Sequence, residues 1–302
     1  MAEKRVSMRD IAKECGVSVA TVSHALNHAT RENVSEALRL KIIQTATKMH
    51  YNPAALRDRG AVQTAGIIVQ AKVGDRPAKT LQYYDVAFEL SRALAGAGFC
   101  PVMLTVNDAK AAYANEALRR LDAWLLVDVD EAAFGSKPEG YYGAVLLVDG
   151  EVAGCDHCKV QTDWTSVYEQ ANALLSAQAS FLVMEDVCSR ALVEKMVAPF
   201  AASSVYIDRP QANLAAFLQN QRGRKGIVLG DILGAQVQSA FEPNDVVVVS
   251  RLESDGLLLP GTPRLKTPNR EKAAVAVQAM QAMQNYEYEP TGTNHILVGC
   301  TE

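Results

Sequence analysis

The segment Met8–Asn27, MRDIAKECGVSVATVSHALN, constrains the fold of this chain more than any other stretch. Ser7 can cap a helix, and Asp10 stands three residues later, which is the spacing of a capping box. Gly16 falls where the chain must turn sharply, and glycine tolerates the positive φ of such turns. Ser18 can then cap a second helix. The segment therefore predicts two short helices joined by a tight turn.

The second predicted helix has an apolar side and a polar side. Val22 and Leu26 are four residues apart, and we expect them to be buried. A helix that lies in a DNA major groove needs small side chains for close approach and donors for phosphates and base edges. The short polar residues along or beside the exposed face are Thr21, Ser23, His24 and Asn27. This pattern favours DNA binding, and a small helical domain that binds protein is the alternative.

The match extends beyond a generic helix-turn-helix. The strings DIAKECGVSVATVSHALN and VSEALRLKIIQTATKMHYNP resemble the head of the lactose-repressor (LacI/GalR) family of bacterial transcription regulators. The positions in register with the family pattern are Asp10, Ala12, Gly16, Val17, Ser18, Thr21, Val22, Ser23, His24, Leu26, Asn27, Val34, Ser35, Tyr51 and Pro53. A third helix is predicted over residues 34–50, because apolar side chains recur there at helical spacing.

The resemblance implies a division of roles on the head. Val19, Ala20 and His24 should face the bases, since the first two can meet thymine methyl groups and the imidazole can donate or accept at a purine edge. Phosphates should be held by Ser7, Ser18, Thr21, Ser23 and Asn27.

The linker after the head departs from the family pattern. In the family a hinge helix folds on the operator and a leucine wedges into the minor groove, but Gly60 holds that leucine position here. Leu56 lies one helical turn earlier and could act as a shifted wedge or pack against its dimer mate. The residues expected at the hinge and minor groove are Asn52, Ala55, Leu56 and Arg59.

Charge is divided unevenly along the chain. Residues 1–60 hold ten Lys/Arg and six Asp/Glu, a balance of +4, whereas the whole chain carries −4. A basic head on an acidic body suits nucleic-acid contact by the head alone. The N-terminus MAEKRVSMRD lacks the apolar region of a secretory signal and no apolar run could span a bilayer, so we expect a cytoplasmic protein without a membrane partner.

From Thr64 onward, short β-rich runs alternate with helical stretches. Apolar strands that alternate with amphipathic helices predict parallel sheets covered on both faces. About 240 residues suffice for two lobes, and the region resembles the periplasmic-binding-protein fold that the family uses as its sensor. The predicted fold is thus an all-α helix-turn-helix head with an α/β, two-lobed, periplasmic-binding-protein-like body. The boundaries are 1–51 for the head, 52–62 for the hinge and 63–302 for the effector-binding and dimerisation domain.

The body carries no motif of a common enzyme class, a cofactor site or a phosphate loop. Ligand binding beyond the carboxyl ends of the strands is the better hypothesis. The resemblance implies effector contacts at Asp163, Arg190 and Asp231, and the rings of Tyr84 and Trp164 could stack on a sugar or base ring. Each also has a structural interpretation: Arg190 as a surface ion-pair partner, Asp231 as a helix cap, and the aromatic residues as core or dimer contacts.

Cysteine usage points to free thiols. The pair Cys155 and Cys158 lacks the second pair that a structural zinc site needs, so we expect no metal, with metal or redox sensing as the alternative. Asn294–Gly299 predicts a strand with no tetramerising heptad repeat after it.

These features together predict a homodimeric DNA-binding transcription regulator, most simply a repressor, on a near-palindromic operator. A small-molecule effector would control it, with a sugar, a sugar phosphate or a nucleobase as candidate classes. The first alternative is a small-molecule binding protein with a vestigial head. The second is a regulator with a degenerate sensor, which binds DNA constitutively or responds to a partner protein or to thiol oxidation.

Overall fold

The computed structural model describes residues 6–26, 34–49, 51, 63–71, 74–107, 115–130, 134, 141, 143–152, 157–250, 258–290, 292 and 294–300. The N-terminal part is a three-helix head. Its helices are α1 (Met8–Cys15), α2 (Val19–Leu26) and α3 (Glu36–Lys48).

The head closes around a small apolar core. Ile11, Val22, Ala25 and Ile42 are fully buried there. Ala25 takes the fully buried place on α2 that the sequence suggested for Leu26, which is half-buried. The three helices therefore form one packed unit, as the helical spacing of the apolar residues predicts.

The body contains two parallel sheets. The first sheet has the strand order β11-β5-β4-β3-β1-β2, and the second has the order β10-β9-β8-β6-β7. The strands of the first sheet are β1 (Gln63–Gln70), β2 (Phe99–Val106), β3 (Ala123–Val127), β4 (Ala144–Val148), β5 (Cys158–Thr162) and β11 (His295–Val298). Those of the second are β6 (Phe181–Glu185), β7 (Val205–Asp208), β8 (Gly226–Leu229), β9 (Val246–Ser250) and β10 (Arg264–Lys266).

Helices cover both faces of each sheet, so the central strands read as continuous apolar runs. In the first lobe, α4 and α10 pack on one face of the sheet. In the second lobe, α6 and α7 cover one face and α8 and α9 the other. The body helices are α4 (Pro77–Gly96), α5 (Glu116–Arg119), α6 (Trp164–Leu175), α7 (Arg190–Val197), α8 (Leu214–Gln219), α9 (Asp231–Val237) and α10 (Asn269–Gln284).

The chain passes between the lobes at the ends of strands. It leaves the first sheet after β5, at Asp163, and returns between β10 and α10. Cys300, just beyond β11, packs again in the core of the second lobe. The chain therefore crosses between two lobes more than once, in the two-lobed architecture that the sequence predicts. A cleft lies between the lobes, where strands of both sheets end.

Strands β5 and β10 and helices α8 and α9 are short and carry polar residues among the apolar ones, so no hydrophobic period marks them in the sequence. Helix α4 begins at Pro77 and runs to Gly96. Its first turns hold Lys79 and Gln82, which are buried although their side chains are polar.

The head contacts the body through two tyrosines. Tyr51 is fully buried in the head core, and Tyr286, which follows α10, belongs to the same cluster. Their ring centroids are 6.4 Å apart. In the part of the chain that the structure describes, no helix has both the length and the apolar character required to cross a membrane.

Candidate functional site

Helix α2 presents a continuous exposed face. Val19, Ala20, Ser23 and His24 are all exposed. They lie on one side of the helix, because Ser23 and His24 each follow one helical turn after Val19 and Ala20. Val22 and Ala25 on the opposite side are fully buried. The three residues predicted to read bases therefore share one accessible surface with one of the residues predicted to hold phosphates.

Short polar residues lie at the starts of α1 and α2, and a glycine lies in the turn between the two helices. The Ser7 main-chain nitrogen donates to the Asp10 carboxylate at 2.8 Å, and the Ser7 hydroxyl donates to it at 2.6 Å. Gly16 ends α1 with φ of 71°, the left-handed conformation that favours glycine. Ser18 then accepts a hydrogen bond from the main chain of Thr21 at 3.0 Å, as an N-cap does.

A buried arginine holds the other end of α2. Arg39 of α3 donates from Nη1 to the main-chain oxygen of Ala25 at 2.9 Å and to that of His24 at 3.1 Å. Its side chain is 2% exposed. A helix C-terminus leaves carbonyl groups without partners and carries partial negative charge, so a cation stabilises it. Arg39 thus orients α2 relative to α3, a role that the sequence analysis missed.

Several predicted site residues lie outside the described residues. Asn27 and the hinge residues Asn52, Ala55, Leu56 and Arg59 belong to this group. Their proposed contacts with phosphates and with the minor groove stay predictions from the sequence.

The second candidate site is the cleft between the two lobes, where side chains bridge the sheets. Arg76, just before α4, pairs with Asp208 at the end of β7, with 2.5 Å between Nη1 and Oδ1. The Ser189 hydroxyl donates to the main-chain oxygen of Glu151 at 2.9 Å. The lobes are therefore in direct polar contact in this structure.

Asp128 forms one of these bridges from a fully buried position. Its Oδ1 accepts a hydrogen bond from the Cys188 main-chain nitrogen at 2.8 Å, and Lys79 Nζ lies 4.0 Å from its Oδ2. Burial raises the pKa of the Asp128 carboxyl to about 7, an effect that Lys79 and the hydrogen bond from Cys188 only partly offset. This carboxyl group therefore titrates near neutral pH at the contact between the lobes.

Glu151 is the centre of a second bridge. Its carboxylate binds Lys195 of the second lobe at 2.6 Å, His295 at 2.7 Å, and both Lys159 and Gln161 at 3.1 Å. Burial acts to raise the pKa of Glu151, but these four partners outweigh it and lower that pKa to about 2. Glu151 is therefore a carboxylate across the physiological pH range. The partners come from different elements, and His295 is 144 positions from Glu151, so the sequence pattern did not predict this cluster.

A cavity of about 20 Å³ lies in the cleft, room for roughly one water molecule. Asp149 and Lys272 form an ion pair at its wall, and Lys272 also donates to the Thr162 hydroxyl at 2.9 Å. Gln82 and Trp164 contribute further polar atoms to the wall. Val187, Leu192 and Met196 of the second lobe supply its apolar part.

The five candidate effector-binding residues do not gather at one point. Trp164 lines the cavity, and Asp163 caps α6 by accepting hydrogen bonds from the main chain of Thr165 and Ser166. Tyr84 is 60% exposed on α4, and Arg190 is exposed at the start of α7. Asp231 is buried and accepts a hydrogen bond from Ser250.

The cysteine pair singled out in the sequence is only partly described. Cys158 is fully buried in β5 and faces the core of the first lobe, whereas Cys155 lies outside the described residues. Among the residues with described positions, no group of three or more His, Cys, Asp or Glu side chains is arranged to hold a metal ion.

Comparison with known proteins gives a family for the head. Residues 7–54 match the family model described as bacterial regulatory proteins, lacI family. A relative is the HTH-type transcriptional regulator GalR of Lacticaseibacillus casei, which is 26% identical over 164 residues. That match covers 54% of this chain and 48% of GalR, so it spans about half the length of that relative.

Solved structures extend the comparison to the body. A transcriptional regulator CelR–cellobiose complex superposes with a TM-score of 0.58 at 15% identity, covering 98% of each chain. The lac repressor dimer bound to operator and the anti-inducer ONPF gives a TM-score of 0.56 at 14% identity, covering 99% of this chain and 97% of the repressor. Residues 7–54 therefore match the lacI family of bacterial regulatory proteins, and the two-lobed body that follows them is similar in fold to solved regulators of this type.

Proposed function

We propose that this chain is a sequence-specific DNA-binding transcription regulator that acts as a repressor. The observation that carries the proposal is the exposed face of α2 within a head that matches the lacI family. Arg39 and the Ser18 cap hold that helix rigidly at both ends. A rigid helix with small exposed side chains can approach base edges in the major groove.

The roles of individual head residues follow from this placement. Val19 and Ala20 contact thymine methyl groups and His24 contacts a purine edge. The phosphate contacts come from the hydroxyl-bearing residues around the turn and from Asn27. In the linker, Leu56 is the candidate for a minor-groove wedge.

The protein acts as a homodimer through the first lobe of its body. Tyr84 and Phe88 are 60% and 61% exposed and lie one turn apart on α4. Met103 on edge strand β2 is 44% exposed and is paired in register with Ile67, whose side chain packs under α4. Large exposed apolar residues grouped on one side of a sheet are typical of a protein interface. The lac repressor, of similar fold, is a dimer in its complex with operator.

An effector bound between the lobes controls the spacing of the two heads. The cleft places polar side chains at the ends of parallel strands, where ligands bind in folds of this kind. CelR and the lac repressor share this fold, and their structures are complexes with cellobiose and with the anti-inducer ONPF, respectively. A ligand shifts the balance between open and closed lobes only by binding one state more tightly.

Selection from a random duplex library with the full chain tests the proposal. We expect enrichment of a near-palindrome whose half-sites are about 10 bp apart, centre to centre, or a multiple of that spacing. A library without any enriched sequence after repeated rounds would contradict specific DNA recognition.

A further inference from the structure

One side chain of the body contributes to the apolar core of the head. Tyr286 follows α10 by two residues, is 8% exposed, and belongs to the same buried cluster as Ile11 and Ile42. Among the described residues, every other buried member of this cluster comes from residues 11–51. The Tyr286 ring is tilted by 40° from the ring of Tyr51, with 6.4 Å between centroids, a separation at which aromatic rings attract each other.

The main chain at Tyr286 has a conformation that bulky residues rarely adopt. Its φ is 58°, in the left-handed region. The Tyr286 nitrogen donates to the Met283 oxygen at 3.1 Å. The Glu287 nitrogen donates to the Ala282 oxygen at 2.8 Å. These two bonds form a Schellman motif at the end of α10, with a tyrosine at the position where glycine is usual. The other described residues that have positive φ and are not glycine are short and polar: Asp128, Asp149, Ser176 and Asn294.

A strained residue persists where the surrounding structure fixes it, and such residues cluster at functional sites. Met283 and Tyr288 pack against the core of the first lobe, whereas Tyr286, between them in the sequence, packs in the head. Tyr288 also donates from its hydroxyl to Asn294 Oδ1. The segment that carries Tyr286 is therefore attached to the body on both sides of the ring.

The ring of Tyr286 lies at the end of the first lobe where the chain arrives from the head. Gln284 Nε2 donates to the main-chain oxygen of Asp122 at 3.4 Å. The Asp122 carboxylate accepts from the Thr64 nitrogen at 2.7 Å, near the start of β1. The head is thus attached to this end of the body twice, by the covalent linker of residues 52–62 and by the contact with Tyr286.

The partner ring is held just as firmly in the head. Tyr51 is fully buried, and its nitrogen donates to the Ala46 oxygen at 2.9 Å across the end of α3. The contact leaves the exposed face of α2 free, since Ala20 and His24 stay exposed while Tyr286 is buried. Docking through the two rings therefore fixes the head without covering the face that we assign to base reading.

We propose that Tyr286 docks the head on the body and sets the direction of α2 before the protein meets DNA. Tyr286 is a positioning residue, because it contacts Tyr51 and not the DNA. A linker alone lets two domains move relative to each other, and a second attachment restricts that motion. The proposal rests on the proposed function, to which it adds a residue outside both the head and the linker.

Amide hydrogen exchange of the full chain, followed by mass spectrometry, tests the docking. Tyr286→Gly removes the ring and supplies the residue that the left-handed position favours, so α10 should keep its exchange rate. Exchange in α1 to α3 should rise on the order of tenfold, because the head loses a buried contact. Tyr286→Phe keeps an aromatic ring and should stay close to wild type. Ser176→Gly is the matched control, since it makes the same backbone change in the second lobe, where φ is 50°.

The spacing of the operator half-sites distinguishes positioning from a merely structural role. The selected duplex is compared with one that has two base pairs inserted between the half-sites, which turns one half-site by about 70° around the duplex axis. Wild type should prefer the selected spacing, and Tyr286→Gly should reduce this preference on the order of tenfold, because a freed head tolerates other orientations. Discrimination among bases within a half-site should not change. A head that was only less stable would bind both duplexes more weakly by the same factor.

Three results would overturn the proposal. Unchanged exchange in the head of Tyr286→Gly would show that the ring does not hold the head. An equal rise for Tyr286→Phe would show that something other than the aromatic contact does so. A spacing preference that Tyr286→Gly leaves intact would show that docking does not direct α2. If no duplex were selected at all, the proposed function would fail, and hydrogen exchange would still support or overturn the docking.

Discussion

Arg39 donates a hydrogen bond from its guanidinium Nη1 to the main-chain oxygen of Ala25, at 2.9 Å. The donor belongs to α3 and the acceptor lies near the end of α2, so this bond fixes the position of the exposed helix face relative to the rest of the head. The face that we assign to base reading is therefore oriented by a residue that does not belong to it.

Removing that guanidinium should affect stability and DNA binding together. Arg39→Met keeps much of the apolar stem but leaves carbonyl groups of α2 without their partner, at a cost of about 2 kcal/mol in the unfolding free energy of the head. Chemical denaturation followed by circular dichroism measures this cost. Arg39→Lys retains the charge and should lose less. Equal stability of wild type and Arg39→Met would mean that the hydrogen bonds contribute nothing to holding α2.

His24 should determine the preference at one base pair of each half-site. His24→Ala removes a donor or acceptor from the exposed face of α2 and should reduce discrimination at that position by ~1–3 kcal/mol. Ser23→Ala, one residue away on the same face, should weaken all duplexes alike because phosphate contacts carry no sequence information. Binding to a set of single-base operator variants measures both effects. An unchanged ranking of those variants for His24→Ala would show that another residue reads this base pair.

A charge on the exposed face of α4 should separate the dimer. Phe88→Glu places a carboxylate on the exposed side of α4, one turn from Tyr84, and light scattering at micromolar concentration should then report a monomer. Leu174→Glu is the matched control, because Leu174 is 45% exposed on α6 in the other lobe. Dissociation by the control alone would move the interface to the second lobe.

Asp128 should make the stability of the body depend on pH. Burial raises the pKa of its carboxyl from 3.8 to about 7, and the charge of Lys79 and the hydrogen bond from Cys188 oppose this rise. Among the other groups that face it, Tyr83 lowers the pKa of Asp128 and Asp149 raises it. Asp75 interacts with Lys79 and Tyr83 in the same cluster. The folded state therefore binds more protons than the unfolded state between these values, and stability falls as pH rises through that window.

The substitution Asp128→Asn removes this titration. The melting temperature of the variant relative to wild type should therefore increase as the pH rises from 4 to 7 and then stay constant. Glu169→Gln, at an exposed site on α6, should follow the wild-type pH profile. A difference between Asp128→Asn and wild type that does not change with pH would show that this carboxyl group has no raised pKa.

The sequence was most informative where function depends on local spacing. The helix-turn-helix could be predicted from the pattern alone, because its parts are close together in the sequence. Gly16, Ser18 and the exposed residues of α2 lie within about two helical turns of one another. The fold of the body was also predictable, because continuous apolar strands alternate with helices.

The sequence was least informative where residues meet across the fold. Glu151 and His295 are 144 positions apart, and Arg76 reaches Asp208 over 132 positions. Likewise, the polar atoms of Gln82 and Trp164 come together only once α4 and α6 line the same cavity. The sequence predicted a cleft but could not predict which side chains line it.

The most direct test of the account is the affinity of the full chain for its selected duplex and for a scrambled duplex of equal length, measured by fluorescence anisotropy. We predict that the selected duplex binds on the order of a thousandfold more tightly. Ala20→Glu on the exposed face of α2 should abolish this ratio, whereas Gln44→Glu, with the same added charge on the exposed side of α3, should preserve it. A wild-type ratio near one, or a ratio that Ala20→Glu leaves intact, would contradict the assignment of α2 as the element that reads DNA.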